Sequence, residues 1–201
     1  MTRDDAVHAF LAFFAARGFG PATLDAVARH AATTPAALVE AVGDRWAALD
    51  AFTRHLDRAG LAAADPNGSV RDRLFDLTMA RFDAAVPHRA ALAALSAEAR
   101  RRPALALALA ATLPRTAALY LSAAGANTIG VTGIVRVQAF AAMLADVGRT
   151  WLADADPDQG TTMRALDRRL DQADRAMARL GTRATDIAAP DPAGFDPAAV
   201  V

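Results

Sequence analysis

The stretch Phe14-Ala-Ala-Arg-Gly-Phe-Gly-Pro-Ala-Thr-Leu-Asp-Ala-Val-Ala-Arg-His-Ala-Ala-Thr-Thr-Pro-Ala-Ala-Leu38 decides the fold. Leading into it, Val7, Phe10, Leu11 and Phe14 fall at i, i+3, i+4 and i+7, which is one face of a helix. Gly18 and Gly20 stop that helix, with Phe19 between them. Thr23 fits the N-cap of a second helix, in which Leu24, Val27, Ala28 and Ala31 repeat the spacing. Thr34 followed by Pro35 is a cap-then-proline start for a third, short helix ending near Gly43. The pattern is a helix, a short helix, a tight turn and another short helix.

Further along, the same period continues. Asp44 can cap a fourth helix with Trp46, Leu49, Phe52 and Leu56 on one side, ending at Gly60. Asp65-Pro-Asn-Gly68 is a turn cluster. Ser69-Val-Arg-Asp72 has the form of a capping box, opening a helix through Leu74, Met79 and Phe82. Pro87, Pro103 and Pro114 are expected to divide the next stretch into short helices. The run Ala104 to Ala110 alternates with period two, as a strand would. Alanine is depleted in strands, however, and Leu105, Leu109 and Leu113 form an i+4 row, so it reads as helix.

Near the C-terminus, Val137, Phe140, Leu144, Val147 and Trp151 keep 3-4-3-4 spacing, as do Met163, Leu166, Leu170, Ala173, Met177 and Leu180. These are two a/d seams joined by a short loop. Small residues Ala141, Ala145 and Gly148 on an adjoining face permit close approach of another helix. Either the two helices pair within one monomer, or the hairpin joins its symmetry mate in a four-helix dimer bundle. The second is expected, which sets Val137, Leu144, Val147, Trp151, Leu166, Leu170 and Met177 at a homodimer interface. From Thr182 onward Pro, Ala, Asp and Gly dominate, and a disordered tail is expected over 182–201.

Composition narrows the function. The 201 residues carry 22 basic and 22 acidic side chains, and every basic one is arginine. A broadly basic nucleic-acid coat and an acidic disordered chain are both excluded. The absence of cysteine removes disulfides, thiolate metal sites and cysteine nucleophiles. Met1-Thr-Arg-Asp-Asp5 is polar and acidic, unlike an export signal. Ala104 to Leu113, the longest apolar stretch, falls short of the ~20 residues of a membrane span and is followed by Pro114 and Arg115. A cytoplasmic location without stable membrane insertion is expected.

No constellation supports catalysis. His8, His30, His55 and His88 lack ligand spacing, the three serines sit in no nucleophile elbow, and Glu40 and Glu98 are the only glutamates. Asp154-Ala-Asp-Pro-Asp-Gln-Gly160 echoes a calcium loop, but Gln159 and Ala165 stand where such a loop needs Gly and Glu. It reads as a solvated inter-helix loop. No enzyme activity, cofactor or metal is expected.

Phe14, Arg17-Gly18-Phe19, Thr23, Val27-Ala28, Ala31, Thr34, Leu38 and Gly43 resemble the N-terminal helix-turn-helix of the tetracycline-repressor (TetR) regulators. The resemblance implies an all-α fold of some nine helices. A helix-turn-helix head would span 1–50, and a helical ligand-binding and dimerising body 51–181. It also implies ligand-responsive binding of double-stranded DNA by a homodimer. The family's short third helix commonly carries a Tyr and a basic or His residue that hold phosphates; here Val39, Glu40 and Ala41 stand there, followed by Val42. Ala32 replaces the usual turn glycine. What remains for DNA is Arg45, Thr23, Thr33 and Thr34, with the N–H groups at the third helix start, Pro35 and Ala36. For a small apolar ligand, the expected pocket walls are Phe75, Met79, Phe82, Leu109, Tyr120, Phe140 and Met143. His88 and Gln138 are its expected polar contacts.

Val70-Arg-Asp-Arg-Leu-Phe75, Arg81-Phe82, Val86-Pro-His-Arg-Ala-Ala-Leu92, Ala124-Gly125 and Arg136 are also similar to part of the coenzyme Q biosynthesis lipid-binding proteins. Those share the TetR fold, have lost DNA binding and hold an isoprenoid lipid in the body. The rival expectation is therefore a lipid-binding accessory protein. Ala126-Asn-Thr-Ile-Gly130 departs from that family's polar and aromatic motif, and Pro190, Pro192 and Pro197 break its terminal amphipathic helix.

Overall fold

Side-chain caps set most of the helix starts. In a computed structural model describing residues 1–63, 65 and 67–179 (backbone only for 177–179), the Thr23 hydroxyl accepts from the Ala26 N–H. Thr34 accepts from Ala37, and one Asp44 oxygen takes both Trp46 and Ala47. Ser69 and Asp72 form the reciprocal box anticipated from their spacing. A second such box, Thr2 with Asp5, opens the first helix and was not read from the sequence. Each cap satisfies N–H groups that a helix start leaves without partners.

Nine α-helices follow one another among the described residues, and there is no strand. They are α1 Arg3–Arg17, α2 Leu24–His30, α3 Pro35–Ala41, α4 Arg45–Ala62, α5 Val70–Ala85, α6 Arg89–Ala99, α7 Pro103–Ala123, α8 Gly130–Ala153 and α9 Gly160–Arg179. A 3-10 turn, Val86–His88, joins α5 to α6. Helix α1 packs on α2, α4 and α6; α4 lies on α5 and α7; α8 lies between α7 and α9, and α9 returns to α5. One hydrophobic cluster runs through all of them, from Phe10, Phe14 and Leu38 at one end to Trp151 and Leu166 at the other. Each large side chain so buried contributes about 1.5–3 kcal/mol.

Three expectations are corrected. Pro114 does not end a helix: α7 runs 21 residues straight through it. The ring removes one helical hydrogen bond, but buried Leu105 before it and Ala117, Tyr120 and Leu121 after it fix both halves against the core. By length and composition α7 and α8 would each pass for a membrane span, with mean hydropathies of 1.5 and 1.3. The apolar stretch is therefore longer than Pro114 suggested, though each helix lays one face on the bundle. Gly60 likewise lies inside α4, because a Cβ there would stand 2.8 Å from the Leu77 carbonyl oxygen and inside the Tyr120 hydroxyl.

The third correction concerns the seams. Leu144, Val147, Trp151, Leu166 and Leu170 are all buried within the monomer, so the α8–α9 seam is intramolecular. Trp151 stacks on Phe82 of α5, with ring centroids 5.5 Å apart, and carries Arg89 on its ring at 4.2 Å. Val137 is half-buried, and the Met177 side chain and Leu180 lie outside the described residues, as does the tail 182–201. The loop before α9 is exposed over 155–158, as expected, and is tied by hydrogen bonds at its two buried residues, Asp154 and Gln159. Asp154 accepts from the Thr162 N–H and hydroxyl, both at 2.8 Å, and the buried Gln159 accepts from the Trp151 indole.

Candidate functional site

Helices α2 and α3 with the turn between them form a helix-turn-helix. Val27 and Leu38 are completely buried and pin the pair to α1. The turn needs a left-handed residue, and Ala32 supplies it at φ 50°. Non-glycine residues pay strain in that conformation. Thr23 and Thr34 are exposed beside their helix starts, and Pro35, Ala36, Val39 and Glu40 are exposed on α3. The outward face of α3 therefore offers a carboxylate and no basic side chain. Thr33 is half-buried.

Arg45 braces the turn between α1 and α2. One of its guanidinium nitrogens donates to the carbonyls of Phe19 and Gly20, at 3.2 and 2.8 Å, and the group lies 4.9 Å from the Phe19 ring centroid. Phe19 in turn meets Trp46 edge-on at 4.5 Å and Phe14 at 5.2 Å. Arg45 is thus an internal brace between α4 and the α1–α2 turn, where the Phe19 carbonyl also accepts from the Ala22 N–H at 3.2 Å. Sequence reasoning also missed the matching brace: Glu98 of α6 accepts from the N–H groups of Phe19 and Gly20. Its signal was rarity, as one of two glutamates in an aspartate-rich chain.

The expected pocket set is divided. Phe82, Tyr120, Phe140 and Met143 are buried in the common core, with Phe75, Met79 and Leu109 packed against it. Gln138 is exposed on α8. A polar network occupies the space between α4, α5 and α7. Asp57 pairs with Arg81 and accepts from the Thr116 hydroxyl at 3.0 Å, all three largely removed from water. Next to it Tyr120 has no exposed surface, and burial pushes its hydroxyl pKa up to about 12. His88 stands apart from these residues. It contacts His8 and Phe52, each with ring centroids 5.1 Å away, on a crevice between α1, α4 and the 3-10 turn.

Beyond the core, α8 presents Val131, Ile134 and Val135 to solvent, next to Ile129 just before it. A Cβ added to Gly148 on the same helix would meet nothing. Helix α9 turns its unburied side outward as mixed charge: Arg164, Asp167, Arg168 and Arg169 are exposed.

No protein-family model and no curated protein sequence matches the chain. Solved structures do. The TetR transcriptional regulator from Nitrosomonas europaea superposes with a TM-score of 0.68 at 16% identity, over 85% of this chain and 96% of the other. A candidate TetR-family transcriptional regulator from Rhodococcus sp. gives 0.62 at 21% identity, over 85% and 97%. A transcriptional regulator from Rhodococcus sp. Rha1 gives 0.56 at 18%, over 88% and 97%. The chain has the all-α fold of the TetR regulators.

Proposed function

We propose that this protein is a cytoplasmic transcriptional regulator that binds double-stranded DNA as a homodimer and responds to a small ligand. The observation that carries the reading is the helix-turn-helix itself. Its short α3 is capped by Thr34, anchored by the buried Leu38 and turned outward along Pro35, Ala36 and Val39. A second helix held that way, over a first that packs on the core, is the arrangement that enters a major groove. The similarity of fold to solved regulators supports it.

The dimer surface in this reading is the outward face of α8. Of the a/d residues first assigned to it, Leu144, Val147, Trp151, Leu166 and Leu170 are buried within one chain, whereas Val131, Ile134 and Val135 are open to solvent. Exposed apolar side chains gathered on one helix mark an interaction surface. Two heads held by such a bundle meet half-sites one or more helical turns apart, and any ligand that changes their separation changes operator affinity.

The same apolar patch favours the second reading, a lipid-binding accessory protein without DNA binding. One experiment separates the two: genomic-fragment selection with the purified protein at low and physiological salt, beside organic extraction of the same preparation. Enriched fragments support the regulator. No enrichment at either salt, with an isoprenoid in the extract, supports the lipid carrier.

A further inference from the structure

The geometry points to a binding site for a small organic anion, one carboxylate on a short apolar body, in the crevice where α1 crosses α4 and the 3-10 turn. The crevice holds about 110 Å³, room for roughly four waters at the ~30 Å³ each occupies in the liquid. Val7, Leu11 and Phe52 are buried and give it an apolar floor. Its remaining polar lining is mostly cationic or proton-accepting. Arg3 and His8 come from α1, Arg54, His55 and Arg58 from α4, and His88 from the turn.

Charge selects the ligand. Three arginines face one acidic lining residue, Asp4. Arg54 is paired with Asp50 at 2.6 Å, whereas Arg3 and Arg58 make no ion pair among the described residues. Guanidinium groups without a carboxylate partner recognise carboxylates by paired N–H donation. A metal ion suits the crevice poorly, since the arginines repel it, and among the described residues no three His, Asp or Glu side chains are arranged to hold one. Burial, then the neighbouring His8 and His55, hold the His88 pKa below its ordinary value. An entering carboxylate reverses that bias, so His88 takes up a proton as the anion binds.

Such a ligand bridges α1 to α4 and to the turn before α6, fastening the head to the body. Its regulatory effect rests on the DNA-binding reading; its binding does not. The test follows the three imidazoles by proton–carbon NMR while the full chain is titrated with benzoate. Sodium chloride at matched ionic strength and the neutral isostere benzyl alcohol serve as controls. Saturable shifts at His8, His55 and His88 with benzoate are expected, at least tenfold weaker binding of benzyl alcohol, and tighter binding at pH 6 than at pH 8. Arg58→Gln, at an exposed position, should weaken benzoate at least fivefold while leaving the melting temperature unchanged. Equal shifts with chloride, equal affinity for the alcohol, or an Arg58→Gln protein that binds as well as the parent would each overturn the site. A chain that binds benzoate but selects no DNA would remove the regulator and leave the site standing.

Discussion

The Glu98 carboxylate accepts the backbone N–H of Phe19 at 2.6 Å, and its other oxygen accepts that of Gly20 at 2.8 Å. A side chain of α6 thereby holds the turn that leads into the helix-turn-helix, while Arg45 of α4 holds the carbonyls of the same two residues. Arg102 closes the set by pairing with Glu98 at 2.5 Å. A Cβ on Gly18 or on Gly20 would lie 2.8 Å from a Glu98 oxygen, so the glycines admit the carboxylate as well as ending α1.

Glu98→Ala should therefore be costly for a half-buried polar residue. It leaves two N–H groups without an acceptor, a loss of about 2–3 kcal/mol. For a chain of this size that is a fall of roughly 5–10 °C in Tm. Glu98→Gln, which keeps one acceptor oxygen, should fall less. Thermal melts followed by circular dichroism decide it; an Ala variant melting with the parent would show that the turn is held by its own packing.

Ala32→Gly should stabilise the protein. Alanine at φ 50° carries left-handed strain of about 1–2 kcal/mol, partly offset by the entropy glycine adds to the unfolded chain, about 0.5–1 kcal/mol. Ala32 is exposed, so no packing is lost. A net gain of up to about 1 kcal/mol is expected in urea denaturation. An unchanged or lowered midpoint would mean that the turn relaxes around alanine without strain.

These two positions show what the sequence could and could not disclose. Caps are local, so Thr23, Thr34, Asp44 and Ser69 could be read from neighbouring residues alone. The left-handed turn was visible as a missing glycine at Ala32. Glu98 and Arg45 act on residues far away in the chain, and no periodicity reports such a contact. Pro114 misled because its local penalty is outweighed by packing on both sides of it. The α8–α9 seam was correctly seen as apolar, but a 3-4 repeat is the same whether its partner helix belongs to one chain or two.

The seam can be separated from the dimer surface by two aspartates. Leu144→Asp places a charge in the monomer core and should destabilise by more than about 4 kcal/mol, so it is expected to unfold rather than dissociate. Ile134→Asp lies on the exposed face and should keep its helical circular dichroism. Sedimentation of the parent at micromolar concentration should give a dimer, and of Ile134→Asp a monomer. A dimer unaffected by Ile134→Asp would place the interface elsewhere.

Stability should fall as pH drops through the imidazole range. Burial, with His8 and His55 nearby, depresses the His88 pKa below 6.5, so the unfolded chain binds the proton more readily than the folded one. The contribution is present above about pH 6.5 and is lost as pH falls toward the folded value. Urea midpoints at pH 7.5 and 5.5 should show the decline, and His88→Asn should flatten it. If the variant declines as steeply as the parent, other groups carry the acid sensitivity.

The DNA reading makes its sharpest demand on Glu40. It is exposed on α3, where a basic residue would meet phosphate, and a carboxylate there is repelled by the backbone. With Arg45 engaged at the α1–α2 turn, few basic groups remain to displace counterions. Binding to a selected fragment should therefore weaken only gently with salt, with a log–log slope of about −2 to −4. Glu40→Arg adds one cation to each head, so the slope for the dimer should steepen by about 2 and non-specific affinity should rise. Fluorescence anisotropy across a salt series measures both. Should Glu40→Arg change neither slope nor affinity, α3 does not lie against DNA, and the helix-turn-helix is a structural remnant.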